Sequence, residues 1–304
     1  MTKKKVCACV IAILHSLGLF GRSSAIATPA AFGEEFKHKY STEHFNFYSM
    51  DDGTSSKEYG NFLEDFLVYL ERNLTALPSG WPVDFYILDD EQSLNVFLKK
   101  KLGEYRNVRG AFYPKYNAMF TSKNGGLGTT AHELMHKIVG EKFRELEPWA
   151  KEGIPSFFEK IYGYRDKSGP VFYLGYENPW RLQQLGNRLT TLTIEQIVSD
   201  GTKSDMYYQS ERRMLSTFLF HEGKLKKYFS LAVSNTEKHS GTLLEAALGE
   251  SMSSADAKFS KFTSGVNTST KRLLNVPSSK YCRSKQEFEN FYNVNRDALR
   301  PVEY

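Results

Sequence analysis

Two histidines and a glutamate in the middle of the chain have a spacing that suits metal chemistry. The stretch reads His132-Glu133-Leu134-Met135-His136. In an α-helix, residues four apart differ by about 40° around the axis, so both imidazoles face one side and can hold a single Zn²⁺. Glu133 lies beside that face, where its carboxylate can accept a proton from a metal-activated water. The pattern therefore predicts a hydrolytic zinc site on a helix.

The residues alone leave two questions open in this stretch. Thr130 followed by Glu133 also matches a capping box, which would start the helix at Thr130 and engage Glu133 with its own N-terminus. A catalytic zinc also needs three protein ligands and a free position. Glu152, sixteen residues after His136, is a candidate third ligand on a second helix packed against the first. The competing acids lie in the connecting segment: Glu141, Glu145 and Glu147.

Hydrophobic periodicity predicts the elements that position these side chains. The first hundred residues of the mature chain indicate the order β-α-β-α-β. Strands are predicted near 44–50 and 83–88, a hairpin or a bent strand at a sheet edge over 109–121, and helices near 57–74 and around Leu94–Leu102. Asp89 or Asp90 is expected to cap the second helix and Gly103 to end it. This part of the chain therefore predicts a sheet with helices packed on it.

From about residue 125 the pattern becomes helical. The candidate metal helix is expected to run from about Leu127 to Val139 and to stop at Gly140. Further helices are predicted near 148–162, 178–188, 193–199, 206–221, 224–233, 242–248 and 284–292. We expect an α+β fold in which an αβ lobe (about 41–125) precedes a helical lobe (about 126–265) with a cleft between them. A polar extension, 266–304, is expected to wrap the domain or to be loosely ordered.

The first 27 residues read as a secretory signal. Lys3–Lys5 precede the apolar stretch Val6–Phe20, and Ala25-Ile26-Ala27 matches a signal-peptidase site. An uncleaved anchor is the alternative, but fifteen residues span only about 22 Å of a roughly 30 Å hydrocarbon core. The sequence thus predicts an exported protein, periplasmic or extracellular, without a stable membrane span after cleavage.

The net charge limits the kinds of binding partner to expect, and the cysteine content limits the disulfides. The chain of 304 residues has a formal net charge of +5, of which the leader carries +4 and the remainder +1. This small balance argues against nucleic acid or an anionic membrane as a partner. Cys282 is the sole cysteine after the leader, which excludes an internal disulfide.

Several segments together resemble one protein family. HELMH followed by PWAKEGIPSFFE resembles the gluzincin metallopeptidases, specifically the compact peptidase MA-like group. STEHFNFYSMDD is similar to the opening strand of that group, GAFYPKYNAMF to its edge strand, DMYYQSERRMLSTFLFHEGKLKKYF to its Y-x-Q-S helix, and TLLEAALGESMSSADAKF to its closing helix pair. The resemblance covers about residues 41–262 in order. It implies a zincin-like α+β domain over 28–265 with the active site in the cleft.

The resemblance also implies roles for individual residues. The zinc ligands would be His132, His136 and Glu152. Glu133 would be the general base, and Tyr207 of the Y-x-Q-S segment would stabilise the oxyanion, with Tyr208 as the neighbouring alternative. The edge strand over 110–114 lacks the glutamate that the aminopeptidase branch carries there. An aminopeptidase activity is therefore not expected.

These expectations define the function predicted from the sequence. The protein would be a zinc metallopeptidase that hydrolyses a peptide or protein substrate. One alternative is a zinc hydrolase for a non-peptide substrate, such as a cell-wall fragment or an ester. Two others are a catalytically inactive gluzincin-like binding protein and an exported scaffold with an accidental H-E-x-x-H.

Overall fold

The computed structural model describes residue 32 and residues 34–104, 107–143, 146, 148–185, 192–199, 206–234, 240–269, 276–277 and 279–299. The predicted secretory signal over 1–27 lies outside these ranges. Within them, no helix combines the length and the apolar character that crossing a membrane requires.

The fold is α+β, with eight strands and eleven helices in the described ranges. The strands are β1 (His38–Ser41), β2 (Phe45–Ser49), β3 (Val83–Leu88), β4 (Gly110–Tyr113), β5 (Ala118–Ser122), β6 (Ile161–Asp166), β7 (Gly169–Tyr173) and β8 (Ser279–Cys282). The helices are α1 (Thr54–Asn73), α2 (Glu91–Leu102), α3 (Gly126–Lys142), α4 (Pro148–Phe157), α5 (Pro179–Leu185), α6 (Ile194–Ser199), α7 (Met206–His221), α8 (Leu225–Ser234), α9 (Ser240–Leu248), α10 (Met252–Ser269) and α11 (Lys285–Val294).

The first lobe is built on a five-stranded sheet of order β1-β2-β3-β5-β4. The three inner strands run parallel, and β1 and β4 join them antiparallel at the two edges. Alternate side chains of the sheet enter two separate cores. Phe85 packs with α1 and α3 on one face, whereas Tyr86 packs with α2 on the other. Both faces of the parallel strands are therefore covered, as parallel strands require.

The predicted order β-α-β-α-β is present in this lobe, but it is preceded by an edge strand, β1, that was not predicted. Strand β3 has the predicted bounds, and α2 begins where Asp90 accepts a hydrogen bond from the Ser93 N–H at 2.7 Å. Gly103 ends α2 in the left-handed conformation. Of the two forms predicted for 109–121, the structure has the hairpin, in which Pro114 starts a short 3₁₀ turn between β4 and β5.

The candidate metal helix starts within one residue of its predicted start but ends later than predicted. It begins at Gly126, so Thr130 lies in its second turn, where the Thr130 hydroxyl donates to the Gly126 carbonyl at 3.1 Å. The capping-box interpretation is therefore wrong. The helix also continues through Gly140, because one exposed helical glycine costs only about 1 kcal/mol while Ile138 and Val139 remain packed in the core.

The predicted helix over 148–162 is wrong in its last third. Helix α4 ends at Phe157, two residues after Pro155, and the chain then forms β6. Strand β6 pairs antiparallel with β7 and parallel with β8, which lies more than a hundred residues further along the chain. A pairing between segments so distant leaves no local pattern in the sequence.

The C-terminal segment is part of this second sheet. Helix α10 continues to Ser269, across the boundary predicted at 265, and β8 and α11 pack on β6. The Pro277 carbonyl accepts hydrogen bonds from the Tyr162 hydroxyl at 2.8 Å and from Lys160 Nζ at 3.2 Å. Ser279 Oγ accepts the Gly128 N–H at 3.0 Å. The segment therefore contacts the first turn of the metal helix.

Candidate metal centre

The three predicted metal ligands come together at one point. His132 and His136 lie on α3, and Glu152 lies on α4. One donor atom from each residue lies within 4.8 Å of the other two. The two Nε2 atoms are 2.9 Å apart, and His136 Nε2 lies 3.8 Å from Glu152 Oε2. The structure thus brings both helices to a common site.

This donor set fits a zinc ion. Two imidazole nitrogens and one carboxylate oxygen form a ligand set of catalytic zinc, with ligand distances of about 2.0–2.2 Å. In a tetrahedral arrangement those distances place ligand atoms about 3.3 Å apart. The measured separations of 2.9 Å and 3.8 Å bracket this value. The side chains of His136 and Glu152 are 26% and 34% exposed, so the cluster opens to solvent on their side.

Two glycines allow the helices of the site to approach. A Cβ atom at Gly153, next to the ligand Glu152, would lie 2.4 Å from the carbonyl oxygen of Arg212 in α7. A Cβ atom at Gly128, in the first turn of α3, would lie 1.9 Å from the carbonyl oxygen of Glu159. Both distances are shorter than any unstrained contact. The glycine of the E-G motif therefore has a packing role at the α4–α7 contact.

A largely buried carboxylate, 13% exposed, lies behind the first candidate ligand. Glu159 Oε1 lies 3.2 Å from His132 Nδ1, within ion-pair distance, although the ring N–H is not aligned for a hydrogen bond. Arg181 binds the same carboxylate through Nη2 and, at 2.9 Å, through Nε. Asn178 Nδ2 donates to Glu159 Oε2 at 2.9 Å. This arrangement orients the imidazole ring of His132, which would present its Nε2 to a metal.

Helix α7 holds in place the arginine that binds the Glu159 carboxylate. Gln209, the glutamine of the Y-x-Q-S segment, accepts a hydrogen bond from Arg181 Nη1 at 2.9 Å. The predicted site residues did not include Glu159, Asn178, Arg181 or Gln209. The one available signal was an acid directly after two phenylalanines at the end of α4, since a charged residue in an apolar setting needs a partner.

Glu133 is buried beside the cluster without belonging to it. It is 9% exposed, and the nearby Phe112 N–H of edge strand β4 favours its charged form. Gly110 of the same strand lies so close that a Cβ atom there would be 3.0 Å from Glu133 Cγ. Burial raises the pKa of Glu133 to about 7, with His132 opposing the shift. A carboxylate with this pKa suits proton transfer near neutral pH.

The surroundings shift the pKa values of the two imidazoles in opposite directions. Burial, together with the neighbouring His132, lowers the pKa of His136 to about 3. Burial also opposes charge on His132, but Glu159 and the other nearby carboxylates outweigh it, and the pKa of His132 is raised. The pKa of Glu159 is far below its usual value because its bonds with Arg181 outweigh the effect of burial. His136 is thus neutral, as a metal ligand must be.

The other residues predicted for the site do not belong to the cluster as far as the structure describes them. Tyr207 lies in the first turn of α7, but its side chain lies outside the described residues, whereas Tyr208 is half-buried. Glu141 accepts a hydrogen bond from Lys137 Nζ at 2.6 Å and is not in the metal cluster. The other competitors, Glu145 and Glu147, lie outside the described residues.

Surface shape alone does not identify this site. A hollow of about 540 Å³ lies along α2 between Glu91 and Asn107, and none of the three ligands lines it. We therefore assign the site from its donor atoms. A scan of the chain against protein-family models matches none, and a search of curated proteins finds no significant match. The resemblance to the gluzincins consequently rests on the motifs of the chain itself.

Proposed function

We propose that the protein is an exported zinc metallopeptidase with a zincin-like fold of the gluzincin type. The observation that carries the proposal is the convergence of His132, His136 and Glu152 from two helices, with donor atoms within 4.8 Å of one another. Buried Glu133, one residue from the first ligand, adds the acid–base group that hydrolysis requires. A structural zinc site, closed by four protein ligands, would not need this group.

Different residues would bind the metal, transfer the proton and position the ligands during peptide hydrolysis. His132, His136 and Glu152 would hold Zn²⁺, which when bound supplies Lewis acidity for the scissile carbonyl and for the attacking water. Glu133 accepts the proton of that water at its carboxylate and passes it to the leaving amine. Glu159 and Arg181 keep the His132 ring in place during both transfers.

The edge of the first sheet offers a place for the substrate. Strand β4 (Gly110–Tyr113) is the last strand in the sheet order and pairs with β5 on one side. An extended peptide can pair with the backbone of such a strand. Because Phe112 and Gly110 contact Glu133, a peptide held there would pass close to the base. Tyr207 would then stabilise the oxyanion from α7.

Zinc loading and turnover together test the proposal. We expect the mature chain, starting at Thr28, to bind one zinc per molecule and to hydrolyse a mixed peptide pool in a manner that a chelator abolishes and zinc restores. Glu133→Gln should retain the zinc and lose at least about 10²-fold in turnover. Glu195→Gln, on the exposed face of α6, is the matched control and should behave as the parent protein.

Each alternative function gives a different result in the same experiment. A zinc-loaded protein that cleaves ester or cell-wall probes but no peptide would be a hydrolase of another substrate class. Zinc binding without turnover of either kind would indicate a binding protein. Elemental analysis that finds no zinc would overturn the metal site itself.

A further inference from the structure

We propose that Arg109 and Trp180 form a substrate subsite for a carboxylate, so that the enzyme favours peptides with an aspartate or glutamate near the cleaved bond. This inference rests on the proposed peptidase function and deepens it. The guanidinium carbon of Arg109 lies 5.8 Å from the centre of the Trp180 ring. Arg109 precedes edge strand β4 of the first lobe, and Trp180 lies in the first turn of α5 in the second. The pair therefore bridges the two lobes.

Each of the two residues adjoins in sequence a residue that packs at the candidate site. Arg109 precedes Gly110, whose backbone packs against Glu133. Trp180 precedes Arg181, which holds the carboxylate behind His132. A substrate group bound at the pair would therefore be close to the base and to the first metal ligand.

The tryptophan is held in place although its ring is exposed. Trp180 is 37% exposed, while Trp149 of α4 is fully buried. The main-chain N–H of Trp180 donates to Asn178 Oδ1 at 3.2 Å, and Asn178 Nδ2 donates in turn to Glu159. The guanidinium of Arg181 lies 4.6 Å from the centre of the same ring. The network that supports the metal site thus also fixes this exposed aromatic surface.

The charges of the two arginines are balanced differently. Arg181 is 8% exposed and bonded to buried Glu159, so its charge is compensated inside the protein. Arg109 is 64% exposed, and its Nε lies 3.5 Å from Glu91, which is itself 52% exposed. An ion pair at this exposure contributes little and is readily exchanged. A guanidinium placed over an aromatic ring keeps its in-plane N–H groups for a carboxylate.

Charge recognition predicts an order of preference among substrates. Peptides that differ at one position, scanned on both sides of the cleaved bond, should be bound in the order aspartate, asparagine, lysine. We expect about a tenfold preference for aspartate over asparagine at the position that reaches Arg109. The preference should shrink at high salt, because exposed charges are screened.

Peptide binding tests this subsite independently of turnover. Zinc-loaded Glu133→Gln protein is titrated with fluorescein-labelled peptides of the aspartate, asparagine and lysine series, and anisotropy is measured. In this background Arg109→Gln should abolish the preference, and Arg109→Glu should reverse it in favour of lysine. Trp180→Leu should weaken it, because the guanidinium loses its platform. Arg283→Glu, which changes the net charge equally beyond β8, is the matched control and should retain the preference of the parent.

The outcomes separate this inference from the proposed function. Equal binding of the three series, or an Arg109→Glu protein that keeps the aspartate preference, would overturn the subsite even if wild-type protein cleaves peptides. Aspartate preference in binding without cleavage by the zinc-loaded wild type would support the subsite and overturn the peptidase.

Discussion

Gly128 of α3 packs directly on the main chain of Glu159, the residue whose carboxylate stands behind His132. The first turn of the metal helix and the turn that carries this acid are therefore one packing unit. Ser279 of β8 accepts the Gly128 N–H at the same place, so the C-terminal segment also contributes to it.

Gly128→Ala should destabilise the fold by about 2–3 kcal/mol, because its Cβ would lie 1.9 Å from a backbone oxygen and the helix must shift. Gly140→Ala on the same helix is the control. It is exposed, meets no atom within 4 Å, and should stabilise by up to about 1 kcal/mol. Urea unfolding measures both. Equal effects of the two substitutions would contradict the close α3 contact.

Glu159→Gln should weaken zinc binding by about 10–100-fold, because the His132 ring loses the carboxylate that orients it. It should also destabilise the fold by about 3 kcal/mol or more, because Arg181 is left buried and unpaired. Competition with a chromophoric chelator measures the zinc affinity.

The double variant Glu159→Gln/Arg181→Met separates these two effects. It removes the unpaired charge, so stability should recover while zinc affinity stays low. Recovery of both together would show that the loss of zinc binding came from partial unfolding rather than from the orientation of His132.

Lys160 should make stability depend on alkaline pH. It is 2% exposed, and burial together with nearby Arg213 lowers its pKa to about 8. The unfolded chain keeps this proton up to about pH 10.4. Between these values the unfolded state binds more protons, so the free energy of unfolding gains up to about 3 kcal/mol from this group as pH rises.

Denaturant titrations between pH 7 and 10 check this contribution as a difference between two proteins, in which the titration of tyrosines cancels. The gain should be absent in Lys160→Met and retained in Lys57→Met, which replaces an exposed lysine of α1. A Lys160→Met protein with the wild-type pH profile would refute the assignment.

Tyr281→Phe should loosen the C-terminal segment from α1. The Tyr281 hydroxyl donates to Asp65, a buried acid that also pairs with Arg165 of β6. Removing the hydroxyl leaves a buried carboxylate oxygen without this donor and should cost about 1–3 kcal/mol. Tyr292→Phe, whose ring stacks on Phe288, serves as the control. Thermal unfolding distinguishes them, and equal midpoints would exclude a stabilising role for the Asp65 contact.

Local patterns in the sequence predicted the elements that depend on neighbouring residues. Asp90 and Gly103 delimit α2 as expected, because a helix cap is a contact between residues a few positions apart. His132 and His136 face one side for the same reason, since one helical turn separates them. The prediction failed at Gly140, and the alternative helix start at Thr130 is wrong, because packing of α3 in the core outweighed weak local signals.

Only the tertiary structure decided which distant groups meet. Glu152 joins the histidines because glycines let α4 approach α7 and let α3 approach the turn after α4. Strand β8 pairs with β6 across more than a hundred residues, and Arg181 finds Glu159 from another helix. Such contacts depend on how whole elements pack. The free energy that selects them is shared among many buried side chains, so the types of the contacting residues do not determine the contact by themselves.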